Sequence, residues 1–289
     1  MTKRASQRPR HAGFTLVELV MVIVIGGVIA AAISVFMRPA IDGYLASRAR
    51  ADLTDQADTA LRRMLRDVRA AVPNSIRVPN NQCFELMPTS TGGRYRSGPD
   101  TVNAGSAFVD TSTATTAFDV LTPLSTTPGV GDWVVVGNQQ PNDVYSGVNR
   151  TAITSLSTPN ATLGRHRIGV ASKQFPIGYD GGRFSVVPNA QRAVFYVCSG
   201  ADGTLDASGN GKGTLYRMMN YGFNAAYPTR CPATAGAAVM ATRVRSCSFV
   251  YDPNPGATQQ NGFVWMELDL ARNNEAAHLT LGGHVSNAP

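Results

Sequence analysis

The sequence predicts an α+β fold, a long amino-terminal helix packed on antiparallel β-sheet. Three observations predict it. Phe14 to Met37 is a run of 24 residues with a single acidic or basic side chain, Glu18. Apolar residues then keep recurring at helical spacing as far as Val72. Beyond Pro73 the pattern changes to short β-like runs separated by turn residues. Composition agrees: charged residues are only 16% of the chain, and Gly (28) and Pro (17) are plentiful, which suits a loop-rich β region better than a helical bundle. A chain of 289 residues can bury a core of normal size, so its four cysteines are not needed to replace one.

The first thirteen residues hold Lys3, Arg4, Arg8 and Arg10 and no acid. The whole chain is +7, but without this leader 22 basic residues face 19 acidic ones, a balance of +3. Much of the basic excess therefore belongs to the leader and not to a nucleic-acid face. The arginines from Arg62 to Arg69 are interleaved with Asp67 and neighbour Asp58, as on a solvated helix face. Nucleic acid is not an expected partner.

As a helix, residues 14–37 would span about 36 Å, enough to cross a bilayer. The basic leader would stay in the cytoplasm and the rest of the chain would lie outside the inner membrane. An ordinary signal peptide cut at Ala30-Ala31-Ala32, a plain anchor, and a leader cut before the apolar run all fit this outline. Glu18 separates them. A carboxylate within an apolar span costs a few kcal/mol, roughly, and marks a functional position. Neither a signal peptide nor a plain anchor gains from it.

The segment Gly13-Phe14-Thr15-Leu16-Val17-Glu18-Leu19-Val20, behind its basic leader, resembles the prepilin peptidase site of type IV pilins and pseudopilins. The resemblance implies a type IV pilin-like fold. It implies cleavage after Gly13, methylation of the new amino terminus on Phe14, and subunit docking through Glu18, which would meet the amino-terminal charge of a neighbour. An unpaired buried charge is costly and pairing offsets that cost, so the physics agrees.

The remaining elements follow in order. Leu45, Ala49, Leu53, Ala57, Leu61, Leu65, Val68 and Val72 recur helically, with Arg48, Asp52, Asp55, Arg62, Arg66 and Arg69 between them. This is the amphipathic half of the same helix. Pro39 should kink or relax it, Gly26-Gly27 weakens its membrane half, and Pro73 stops it. The expected organisation is a leader over 1–13, a membrane half over 14–37, an amphipathic half over 38–72 and a β-rich exported domain over 73–289. Twelve runs read as strands: Ser75–Val78, Cys83–Met87, Asp119–Leu121, Trp133–Val136, Thr151–Ser155, Arg183–Val187, Ala193–Cys198, Thr214–Tyr221, Val239–Val244, Ser246–Tyr251, Phe263–Leu270 and His278–His284. Asn103–Thr116 and Thr122–Pro128 read as loops.

Asn74–Val78, Cys83–Leu86, Gly92–Arg96, Gly131–Val136, Arg183–Val187 and His284–Pro289 resemble the MshO-type minor subunits of the mannose-sensitive haemagglutinin (MSHA) pilus. Size and layout are also similar to J-type minor pseudopilins of type II secretion. The resemblance implies a rare subunit acting in filament initiation or at the tip. Its partners would be other major and minor pilins, the prepilin peptidase and the inner-membrane assembly platform. It implies a single-pass inner-membrane protein that later joins the pilus at the cell surface. A type II secretion pseudopilin, a tip adhesin and a DNA-uptake pilin are the alternatives.

Cys83, Cys198, Cys231 and Cys247 lie in the part expected to be exported, where an even count points to two disulfides. Four cysteines allow three pairings and the sequence does not choose among them. Cys198–Cys231 with Cys83–Cys247 is the preferred pair of bridges, because the first would close a hairpin-like excursion. No CxxC and no nearby His favour a metal, so none is expected. Asp206, Ser208 and Asn210 resemble half of a calcium loop, but Arg217 stands where a bidentate Glu is needed, and a Gly-rich hairpin turn is favoured. No cofactor is expected. His166, His278 and His284 form no triad, and no catalytic motif is present, so the chain reads as a structural subunit and not an enzyme.

Overall fold

The computed structural model of the chain describes residues 13–177, 181–253 and 261–288. Helix α1 runs from Leu16 to Arg69. The chain divides into two compact units between Ala49 and Arg50. In the first, the helix is apolar from Leu16 to Met37 and exposed throughout that stretch. Pro39 lies inside it, and the helix is assigned without a break there. Pro39 has no amide to offer the carbonyl of Val35.

The second unit contains the rest of α1 and the strands: β1 (Arg77–Asn80), β2 (Cys83–Leu86), β3 (Thr91–Arg94), β4 (Thr115–Val120) and β5 (Trp133–Val136), then a one-turn helix α2 (Asp143–Ser146). β6 (Arg150–Ser157), β7 (His166–Lys173), β8 (Arg183–Val187), β9 (Val194–Ser199) and β10 (Gly213–Met219) follow, and β11 (Ala238–Asp252), β12 (Asn261–Arg272) and β13 (Glu275–Ser286) complete the order. All named strand pairs are antiparallel. The fold is the expected type IV pilin-like α+β arrangement, with two sheets where one was expected.

The seven-stranded sheet has the order β1-β2-β9-β10-β11-β12-β13. Against it α1 buries Leu53, Ala57, Ala60, Leu61, Met64 and Val68, which meet Phe84, Tyr196, Leu215, Phe249 and Met266. The buried stripe differs from the strict four-residue spacing read from the sequence. Four residues turn an α-helix about 40° past a full circle, so a stripe of fours drifts around the axis. Ala60 and Met64 take over from Leu65, which is only partly buried. The helix also ends three residues before Val72. The amide of Val72 donates to the Met87 carbonyl and that of Thr89 to Ala70, so the chain leaves the helix to pair with the segment after β2.

The six-stranded sheet has the order β3-β8-β5-β6-β7-β4 and curls until its edges meet. The Leu121 amide donates to Arg94 and the Arg96 amide to Asp119, closing β4 onto the end of β3. Phe118, Val134, Ile153, Ile168, Phe184 and Val186 fill the interior. Trp133–Val136 and Arg183–Val187 coincide with the strands expected from sequence, while Val239–Val244 and Ser246–Tyr251 merge into the single strand β11. β3 and β7 were not expected. Thr91-Gly92-Gly93-Arg94 has little strand propensity, and its backbone is held extended by β8.

Candidate functional site

Gly13, Phe14 and Thr15 precede the first turn of α1. Phe14 is 83% exposed. The basic leader residues Lys3, Arg4, Arg8 and Arg10 lie outside the described residues. The backbone amide of Glu18 donates to Thr15 Oγ1 at 3.3 Å, and that of Leu19 to the Thr15 carbonyl at 3.2 Å. Thr15 is therefore the N-cap of the helix, and Thr15-Leu16-Val17-Glu18 has the spacing of a capping box. The sequence reading missed this second role for the Glu18 position, although the Thr-x-x-Glu spacing announces it. A carboxylate in the first turn is also favoured by the helix dipole. Gly13, Phe14 and Glu18 thus lie within six residues at an exposed, capped helix start that offers a carboxylate.

Beyond Glu18 the helix offers apolar side chains all round. Its most apolar window has a mean hydropathy of 2.8 and none of it is buried. Such a surface needs lipid or other helices to cover it.

The four cysteines form two disulfides, Cys83–Cys231 and Cys198–Cys247. This corrects the preferred pairing of Cys198 with Cys231 and of Cys83 with Cys247. The excursion over 220–237 does not close on its own hairpin; it folds back over the opposite end of the sheet. Arg77 donates to the carbonyls of Asn224 and Ala226, and the Val78 amide donates to Tyr227 Oη, which delivers Cys231 to Cys83. β11 is about twice as long as β10 and shifts register between Val244 and Ser246. Its far half passes beyond β10, and the Phe249 amide donates to Asn81, bringing Cys247 to Cys198 with 6.6 Å between Cα atoms.

Asp206 Oδ1 accepts from the amides of Ser208 and Asn210, and Gly209 takes a positive φ of 74°. These residues form the tight turn favoured from sequence. The turn contacts hold the Asp206 carboxyl below its usual range, led by the Asn210 amide.

Two buried ionic clusters were not legible in the sequence. Arg77 is fully buried and pairs with Glu85, 2.5 Å from Nη2 to Oε2. Its guanidinium lies 3.5 Å from the centre of the Tyr145 ring, and Tyr221 donates to Glu85 Oε1 at 2.6 Å. Burial pushes the Glu85 carboxyl above its ordinary range, against the opposing pull of Tyr221 and Arg77. The same burial drives the Tyr145 and Tyr221 phenols far up. In the second cluster Asp67 of α1 accepts from Tyr196 of β9 at 2.6 Å and from Arg217 of β10 at 2.9 Å, tying the helix to the sheet. Burial, then the adjacent Asp67 charge, pushes the Tyr196 phenol well up. No buried polar side-chain atom of these clusters lacks a hydrogen-bond partner, so they read as structural ties.

Residues 8–34 match the family described as the prokaryotic N-terminal methylation motif. Comparisons with curated proteins and with solved structures return no match. The motif, together with the long helix on curled antiparallel sheets, supports a type IV pilin-like protein and indicates a structural subunit. The apolar helix with its motif fits membrane anchoring.

Proposed function

We propose that the chain is a minor subunit of a type IV filament of the MSHA kind. It is made as an inner-membrane precursor with its leader in the cytoplasm and its β-rich domain on the far side. Prepilin peptidase cuts after Gly13 and the new amino terminus on Phe14 is methylated. The subunit then enters an initiating or tip complex by packing its helix against those of other pilins. One observation carries this reading: the capped helix start holds Phe14 and Glu18 four residues apart at the head of the exposed apolar half of α1. That arrangement suits a helix which exchanges lipid for protein neighbours, with Glu18 meeting an amino-terminal charge there. Pro39 is a point at which such a helix adjusts to new neighbours.

Processing tests the proposal. Expressed with a prepilin peptidase, the protein should give an intact mass for a chain beginning at methylated Phe14. A chain beginning at Ile33 would mean ordinary signal-peptide cleavage and sink the reading. Mass spectrometry of native filaments then decides whether an MSHA-like pilus or a type II secretion pseudopilus contains it.

A further inference from the structure

Sheet geometry singles out a different part of the molecule. Arg94 on β3 and Arg183 on β8 are direct cross-strand partners. Like charges placed opposite one another destabilise a strand pair. Both side chains are exposed, and both line a cleft of about 370 Å³ between the end of α1 and the outer face of β3, β8 and β5. Arg69, from the last turn of α1, lines the same cleft. Among the described residues none of the three guanidinium groups has an ion-pair or hydrogen-bond partner, and none of those that line the cleft is acidic. Four other arginines of this domain are matched: Arg77 with Glu85, Arg167 with Asp119, Arg217 with Asp67 and Arg245 with Asp269.

We propose that this cleft is a docking site for an acidic side chain, Glu or Asp, presented by a neighbouring polypeptide. Arginines from three elements lining one cleft complement a carboxylate, and a concave site focuses their field. The occupant is decided by charge and by the room that the cleft offers. The volume is at the small end of ligand pockets and larger than an inorganic oxyanion needs. Nucleic acid fits poorly, because Phe184, the one aromatic residue among the described residues of the lining, is buried and offers no face for base stacking. The inference rests on the cleft alone and stands whether or not the apolar helix docks as proposed.

The test uses the full chain in nonionic detergent micelles at low salt, with fluorescently labelled tetraglutamate as the probe and tetraglutamine as its neutral control. The double variant Arg94→Gln/Arg183→Gln should bind tetraglutamate roughly tenfold more weakly than the parent. Arg165→Gln/Arg230→Gln removes the same charge elsewhere on the exposed surface and should change affinity by no more than about twofold. The leader's basic residues are common to all forms and cancel in the comparison. Relief of the cross-strand repulsion should leave the cleft variant's thermal midpoint equal to or above the parent's. Equal losses in both double variants, or tetraglutamine binding like tetraglutamate, would overturn the proposal. So would inorganic phosphate binding as tightly as the peptide, or a lowered midpoint in the cleft variant.

Discussion

The two halves of α1 solve the same problem in opposite ways. From Phe14 to Leu45 all nineteen large apolar side chains are at least 49% exposed. From Leu53 to Val68 the apolar stripe is buried on a sheet of the same chain. Each exposed side chain forgoes about 1.5–3 kcal/mol of burial, and nineteen of them exceed the roughly 5–15 kcal/mol that holds a typical domain folded. The first half cannot be a stable surface in water. In the proposed function its cover comes from lipid first and from neighbouring helices on assembly. Stability therefore belongs to the second half and association to the first, and mutations should sort the same way.

The largest effect should come from the buried pair in the β-rich domain. Arg77→Met strands Glu85 as a buried carboxylate and should cost about 3–5 kcal/mol of unfolding free energy. The loss should depend on pH. The Glu85 carboxyl is already raised by burial, and removing its cation raises it further. A raised folded value means that the folded state holds the proton more tightly than the unfolded state. Stability is then fully present below the ordinary carboxylate range and drains away as pH rises through the folded value. Urea unfolding at pH 5 and pH 8 should show the larger deficit at pH 8, with leader cleavage untouched. A deficit that is equal at both values, or absent, would mean that Arg77 does not hold a buried charge.

Next come the bridges. Both disulfides lie in the β-rich domain and both span long loops, with 148 and 49 residues of separation. Replacing either pair with serine should cost roughly 2–5 kcal/mol. Peptide mapping of unreduced protein should recover Cys83 joined to Cys231 and Cys198 joined to Cys247, with no thiol left to alkylate. Recovery of Cys198 joined to Cys231 would restore the hairpin pairing and break the account of how residues 220–237 fold back.

These two regions also differ in how much of them the sequence discloses. The chemistry of the helix start is local: Gly13, Phe14, Thr15 and Glu18 lie within six residues, so order along the chain is already proximity in space. Most strands were legible through alternation and turn residues, as in Phe263–Leu270, which falls inside β12. The ionic clusters were not, because Arg77 reaches Asn224 across 147 positions and Asp67 reaches Arg217 across 150. The disulfide pairing failed for the same reason. It depends on how far β11 outruns β10 and where residues 220–237 cross the sheet, and no local pattern encodes either length. The cross-strand meeting of Arg94 and Arg183 is a matter of register between strands 89 positions apart, one of which has almost no strand propensity.

The smallest effect on stability should be at Glu18, where the largest effect on association is expected. Two substitutions separate its two roles. Glu18→Gln keeps a side chain that a capping box accepts and removes the charge, whereas Glu18→Leu removes both. If the carboxylate acts by meeting an amino-terminal charge on a neighbour, both variants should insert, fold and be cleaved normally. Both should also cross-link less to partner pilins and yield fewer filaments in a strain lacking the native copy. If Glu18 serves only to start the helix, Gln should behave as the parent and Leu alone should be impaired. Wild-type cross-links and filament counts in both variants would remove the docking role altogether. Because residues 50–289 form a unit of their own, urea unfolding of the β-rich domain should not change in either variant. A shift there would show that the two halves of the helix are not energetically separate, and the division between stability and association would fail with it.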